Sequence, residues 1–332
     1  MNDWGRSVLD QYDLEVFNVR RGRGALICET NEGLKLLTEY NGSEKHLEAE
    51  NVVLSFLKER GCRYLDCYVH NKAGELSCLN QEQTRYVLKD WFEGSECNVN
   101  SIIELSMAVR ELAKIHALLR RMEVFKAGAE EGYFGPSLMD EYERHNKELK
   151  RARNFIRSKR KKSDFELCVM ETFDTMYDQA EEATLVLQQS GHDELYPECM
   201  KHGYVCHGSY NQHNILIHSG TVAVTNFQKF SVQIQITDLY QFMRKILEKN
   251  NWNLQFASIM LEDYNRILPI SEKEMQVLYA MFYYPEKYWK QINFYYNNNK
   301  AWVPERNVEK LRKAAQQYSL RMQFLNECFK KK

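Results

Sequence analysis

From about Val16 to Thr38 apolar and polar residues alternate in runs within "EVFNVRRGRGALICETNEGLKLLTEY". A glycine-containing break and an Asn-Glu-Gly break separate the runs, so this part predicts three antiparallel strands in a meander. The period then lengthens in "SEKHLEAENVVLSFLKERG", where Ser43 can cap a helix, Leu47, Val53, Leu54 and Leu57 form one apolar face, and Gly61 sits where the helix stops. Alternation returns in "RYLDCYVHNKAGELSCLNQEQTRYVLKDWFEG", with a turn at Asn71 to Gly74 and an end at Gly94. From Ser101 onward the pattern is helical, in "SIIELSMAVRELAKIHALLRRM" and in long amphipathic stretches over 137–162 and 165–190. One stretch breaks it: "NILIH" and "VAVTNF" flank a Ser-Gly turn inside 205–230 and read as a hairpin. The pattern predicts an α+β chain, with a β-rich lobe at 1–94 carrying one helix and a helical lobe at 95–332 carrying the 205–230 hairpin.

Composition narrows the function classes. The chain has 332 residues, and 45 Lys and Arg nearly cancel 46 Asp and Glu, so no overall field draws it to nucleic acid or an anionic membrane. The N-terminus lacks the basic start and apolar block of a secretory signal, and no apolar run is long enough to span a bilayer, so a cytoplasmic protein without membrane partners is expected. Nine cysteines, an odd number without paired spacing, predict free thiols. Cys199, His202, Cys206 and His207 cluster, but their spacing matches no zinc pattern. Five prolines and no Ser/Gly-rich segment argue against flexible linkers.

The chemistry concentrates in "VCHGSYNQHNILIHSGTVAVTNFQKF", 205–230. Kinase-type phosphoryl transfer uses an Asp beside the acceptor, an Asn five residues later that binds metal, and a second metal-binding Asp on the next strand turn. His207, Gly208 and Asn214 keep that register, while Ser209 and Asn226 stand where the two carboxylates belong. Upstream, Gly22 and Gly24 lie in the first hairpin where a glycine loop would cover phosphates. Lys35 lies in the third strand, where a lysine meets the α- and β-phosphates. Glu50, with Glu48 as the alternative, is the carboxylate on the next helix that would pair with it. Asp90 and Phe92, in "LKDWFEG", occupy the segment that would hold adenine through backbone groups. Each feature alone is a common turn, edge lysine or surface loop; their order gives them meaning.

In that order, with "ELAKIHALL", "HGSYNQHNIL", "TNFQKF" and "TDLYQFMRKILEKNNW", the chain resembles the aminoglycoside phosphotransferase and choline kinase superfamily. It is more closely similar to the spore-coat kinase-like proteins of the CotS type from spore-forming Firmicutes, and "YYPEKYWKQINFYYNNNKAWVP" extends the likeness toward the C-terminus. The resemblance implies a bilobal protein-kinase-like fold. It further implies ATP and Mg²⁺ as cofactors, with Asn214 and Asn226 at the metal positions, Asp238 bracing the catalytic loop, and a place in the mother-cell cytoplasm and then the spore coat. Because Ser209 and Asn226 replace the family's aspartates, the expected function is that of a pseudokinase, an interaction module in coat assembly that needs no cofactor. The alternatives are an active small-molecule phosphotransferase and a nucleotide-binding switch.

Two features lie outside this logic. The basic stretch "KELKRARNFIRSKRKK", 147–162, reads as a solvated helix face, with a contact to an anion or protein partner as the alternative. The aromatic block from Tyr283 to Trp302 reads as helix packing, with an interface as the alternative.

Overall fold

The computed structural model describes residues 7–22, 24–126, 131–297 and 305–329. Arg23 of the first hairpin and Trp302 of the aromatic block lie outside them. The chain divides into two compact units, residues 1–122 with 207–230 and residues 123–206 with 231–332.

The first unit is built on an antiparallel sheet in the order β1 (Val16–Gly22), β2 (Ala25–Thr30), β3 (Gly33–Glu39), β5 (Arg85–Asp90), β4 (Cys78–Leu79). The meander follows the sequence expectation. Gly24 at φ +75° supplies the left-handed turn between β1 and β2. Strand parity sorts the side chains: Leu37, Cys28 and Leu88 pack with Val8, Leu9 and Tyr12, while Leu36 and Ile27 pack with Trp91. Helix α1 (Glu44–Glu59) starts at Ser43, whose hydroxyl accepts the His46 N–H, and buries Leu47, Glu50, Val53, Leu54 and Leu57. Between α1 and β4 the chain forms isolated bridges rather than long strands, Tyr68 to Lys89 and Leu65 to Val224.

A second sheet in this unit joins β6 (Ser95–Glu96), β8 (Ile215–His218) and β9 (Thr221–Val224). Ser219 and Gly220, both at positive φ, form the tight turn between β8 and β9. Because β6 pairs with β8 and α2 (Ile102–Leu119) packs on β9, this unit takes in α2 and 207–230, which the sequence boundary at Gly94 had grouped with the helices.

The second unit contains α3 (Leu138–Ser158), α4 (Asp164–Gln189) and α5 (His192–His202), a two-stranded pairing of β7 (Val205–Cys206) with β10 (Ser231–Val232), and then α6 (Ile236–Lys249), α7 (Leu254–Ile267), α8 (Glu272–Tyr283), α9 (Glu286–Asn297), α10 (Glu305–Gln316) and α11 (Tyr318–Cys328). Capping boxes Ser163/Glu166 and Ser271/Glu274 open α4 and α8. The basic stretch runs along α3 and past its end, and three of its residues pair with α4: Lys150 to Glu181 at 3.2 Å, Arg153 to Asp174 at 2.6 Å and, just past the helix, Lys159 to Glu166 at 2.6 Å. Much of the aromatic block packs inward in its described part, with Tyr284 stacked on Tyr142 and Tyr295 on Phe165, while Phe294 is exposed.

Candidate functional site

The loop that carries the kinase-like spacing is held by its own polar groups. His207 is fully buried; its Nδ1 accepts the Ser209 N–H at 3.1 Å, so Nε2 carries the proton and donates to the Thr225 carbonyl at 3.1 Å. Gly208, at φ +73°, packs so tightly that a Cβ would come within 1.7 Å of the Lys229 carbonyl oxygen. Tyr210 anchors the loop to α2 by donating to the Ala108 carbonyl at 2.7 Å. Asn214 donates from Nδ2 to the Ser209 carbonyl at 2.9 Å and accepts from Asn226 Nδ2 at 3.4 Å. The two residues at the expected metal positions are therefore neighbours, and each is an amide.

Asn226 adopts φ +68°, a left-handed conformation that Asn tolerates better than most residues, and its backbone N–H donates to Asp66 Oδ2 at 2.9 Å. Asp66 reaches this turn because the chain before it lies along β9: the Val224 N–H donates to the Tyr64 carbonyl. The same Asp66 oxygen accepts from Lys89 Nζ at 2.9 Å, and Lys89 also donates to Glu50 Oε1 at 2.8 Å while lying 4.4 Å from the centre of the Tyr68 ring. Lys89, Glu50 and Asp66 have side chains 2 %, 0 % and 3 % exposed, so two carboxylates and one ammonium share a dry interior. Burial alone would lower the Lys89 pKa, but the two carboxylates reverse this and hold it above the ordinary lysine value. Burial raises the Asp66 pKa, against the opposing pull of Lys89 and the Asn226 N–H.

A cavity of about 220 Å³ opens on this cluster. Asp66, Lys89, Asn214, Thr225, Asn226 and Gln228 give it a polar wall, and Ala25, Leu36, Thr38 and Trp91 complete it. The Trp91 side chain is packed with Ile27 and Leu36 of the first sheet and Leu216 and Ala223 of the second.

The sequence-predicted residues divide accordingly. Glu50, Asn214 and Asn226 gather at the cavity or the cluster behind it. Lys35 does not join Glu50. Leu36 and Thr38 line the cavity, and Lys35, one position out of phase on β3, pairs with Asp90 Oδ1 at 2.8 Å, while Lys58 reaches Asp90 Oδ2 at 3.5 Å. Glu48 is exposed. Phe92 packs at the edge of the Trp91 cluster and meets Tyr64 edge-on, and Gly22 closes β1 with a Cβ position 2.8 Å from Ile27 Cδ1. Asp238 is fully buried in the first turn of α6, in the helical unit. Sequence reasoning missed Lys89, Asp66 and Trp91. Their signal was a charge inside otherwise apolar strand-like runs, "YVLKDW" and "RYLDCYV", since charges buried in such runs require partners.

The order of these elements defines a protein-kinase-like phosphotransferase fold. An aminoglycoside phosphotransferase from Alicyclobacillus acidocaldarius superposes with a TM-score of 0.85 at 16 % identity, covering 97 % of this chain and 94 % of that one. Spectinomycin phosphotransferase in complex with ADP and spectinomycin superposes with a TM-score of 0.60 at 10 % identity, over 95 % of this chain and 96 % of the other. A microcompartment-associated aminopropanol kinase does so at 0.60 and 12 % identity, over 97 % of each chain. The chain itself belongs to the family described as "Spore coat putative kinase YutH", which matches residues 5–328. Spore coat protein S of Bacillus subtilis (strain 168) is 20 % identical over 319 residues, 90 % of this chain and 86 % of the relative.

Proposed function

We propose that this kinase-like protein is a pseudokinase whose role in the spore coat is to bind other components rather than to transfer phosphate. The observation that carries this reading is the donor set at the metal positions. Mg²⁺ between nucleotide phosphates is held by carboxylate oxygen together with Asn. Here Asn214 and Asn226 are both amides hydrogen-bonded to each other, and the carboxylate beside them, Asp66, already accepts from Lys89 and from the Asn226 N–H. These residues do not fit a nucleotide-bound Mg²⁺. Ser209 cannot act as a base at neutral pH, and loss of a positioned base typically costs about 10²–10⁴ in rate.

The surroundings support the same reading. Lys35 is committed to Asp90, so it does not face a phosphate site. The cavity is smaller than the roughly 300–1,000 Å³ usual for ligand pockets, and Trp91 takes up apolar space between the two sheets. Membership of a spore-coat family and the likeness to spore coat protein S support a location in the coat. Among the described residues no helix is long and apolar enough to cross a membrane.

Calorimetry of Mg·ATP binding tests the proposal in the wild type, Ser209→Asp, Asn226→Asp and the double variant. The wild type and Ser209→Asp are expected to show no Mg²⁺-dependent binding. Strong Mg²⁺-dependent binding with turnover in the wild type would establish a phosphotransferase instead, and metal-independent ATP binding would establish a nucleotide switch.

A further inference from the structure

We propose that the C-terminal half of α3 and the residues just past it, 151–162, form a docking surface for an acidic polypeptide segment of another coat component, one that carries an apolar side chain among its carboxylates. The inference rests on the preceding reading for its role, since it names the chemistry of a component that such a module binds. Three observations carry it. The first is the charge left over once the helices have packed. Nine of the sixteen residues 147–162 are Lys or Arg and one is acidic. Lys147, Lys150, Arg153 and Lys159 meet carboxylates of the helical unit. Arg151, Arg157, Arg160 and Lys161 are exposed and, among the described residues, make no ion pair. Their charge is permanent, because guanidinium and exposed ammonium groups stay protonated at neutral pH.

The second is an apolar contact point among these cations. Leu149, Ala152 and Ile156 take the inner face of α3, so Arg151 and Phe155, one turn apart, share the outer one. Phe155 is 52 % exposed there. Tyr296 of α9 meets its ring edge-on with centres 5.6 Å apart, and Lys159 Nζ lies 5.2 Å from the ring centre, so the exposed ring is held in place. A segment laid across this face covers Phe155 while its carboxylates reach the arginines on either side, which combines a buried ring with charge pairing at the rim. The third is extent. Arg151 to Arg157 span about 9 Å of helix at 1.5 Å per residue. Four unpaired cations match roughly as many carboxylates and fall short of the roughly 6–10 phosphate contacts of a strong nucleic-acid binder. With 45 basic against 46 acidic residues, the rest of the chain adds no field that would extend the patch for a longer polyanion.

The experiment uses the full chain and reads fluorescence anisotropy of a labelled Glu-rich peptide with one central Phe. The control probes are the same peptide with Gln for Glu, the same peptide with Ala for Phe, and an oligo-dT strand. The expected result is saturable, salt-sensitive binding of the acidic peptide, at least tenfold weaker in the double variant Arg151→Glu, Arg160→Glu, and at least threefold weaker in Phe155→Ser and for the Ala peptide. Lys310→Glu, exposed on α10, is expected to bind as the wild type does. Because Arg151 and Arg160 have no partner to lose, their reversal should leave the unfolding midpoint unchanged or raised, and Arg160→Gln provides a milder variant with the same direction of effect. Silence toward the acidic peptide, equal binding of the Gln peptide, or undiminished binding by the double variant would overturn the docking surface. Tighter binding of oligo-dT would assign the patch to nucleic acid, and self-association abolished by the double variant would assign it to a second copy of this chain; either result overturns the proposal. Phosphate transfer by the wild type would refute the pseudokinase reading while leaving peptide binding at this surface intact, so the two failures are distinguishable.

Discussion

Replacing Lys89 by Met removes the ammonium that Glu50 Oε1 and Asp66 Oδ2 share, at 2.8 and 2.9 Å, and leaves two carboxylates in an interior where neither side chain is more than 3 % exposed. Breaking one buried pair from one side typically costs about 3–5 kcal/mol. The cost has a ceiling, because a carboxyl can escape by taking a proton. For a group with the ordinary value of 3.8, protonation at pH 7 costs about 4 kcal/mol at 1.36 kcal/mol per unit. Loss of about 3–5 kcal/mol at pH 7 is therefore expected. The sign of the pH dependence follows from Asp66, whose folded-state pKa is raised. Its stabilising contribution is full below the unfolded pKa and is lost as pH rises through the folded one. In the variant the penalty should thus shrink on acidification, by up to about 2.7 kcal/mol between pH 7 and pH 5 for one proton taken up. Lys35→Met is the control. Asp90 is 26 % exposed and keeps Lys58 within 3.5 Å, so about 1 kcal/mol is expected and little change with pH. Urea unfolding followed by tryptophan fluorescence at pH 5, 7 and 8 measures both. A Lys89→Met penalty no larger than that of Lys35→Met, or one that does not vary with pH, would refute the argument that this cluster is a dry, over-charged network.

Two other outcomes follow from single positions. Gly208→Ala should cost more than about 2 kcal/mol, since it adds a left-handed backbone penalty to a Cβ 1.7 Å from the Lys229 carbonyl oxygen. Gly74→Ala, also left-handed but with open space around it, should cost only the backbone part, and chemical denaturation of the two variants separates the contributions. His145 is 4 % exposed and stacked on Trp289 at 3.4 Å, and burial pushes its pKa down to about 4. Its contribution is full above the unfolded value of 6.5 and is lost as pH falls toward 4, up to about 3 kcal/mol. His145→Gln should therefore flatten the acid limb of stability, seen by comparing unfolding midpoints at pH 7 and pH 4.5. An unchanged acid limb would show that His145 is not the titrating group.

Local rules made much of the architecture legible. Ser43 sits where a hydroxyl can accept from the third helical N–H, and alternation with Gly24, and with Ser219 and Gly220, at the turns gave the two hairpins; each of these signals is read within a few residues. The loop register from His207 to Asn226 was equally visible, because spacing along a chain survives folding unchanged. The basic stretch showed its charge but not its neighbours, since Glu181, Asp174 and Glu166 lie on a different helix.

What the sequence determined by itself was the kinase-like order of elements and the absence of carboxylates at Ser209 and Asn226. Which lysine meets Glu50 was decided only in three dimensions. Lys35 and Lys89 both lie on strands, but a strand sends successive side chains to opposite faces, and the pairing of β3 with β5 sets Leu36 against Lys89 and Lys35 against Asp90. A one-residue difference in phase thus sends one lysine to a cross-strand partner and the other into the interior. Asp66 completes the point. It meets the Asn226 N–H across 160 residues, a contact that no local pattern encodes, and it depends on β9 holding the chain at Tyr64. The character of the cavity, a buried carboxylate and ammonium beside two amides, is a product of that long-range register.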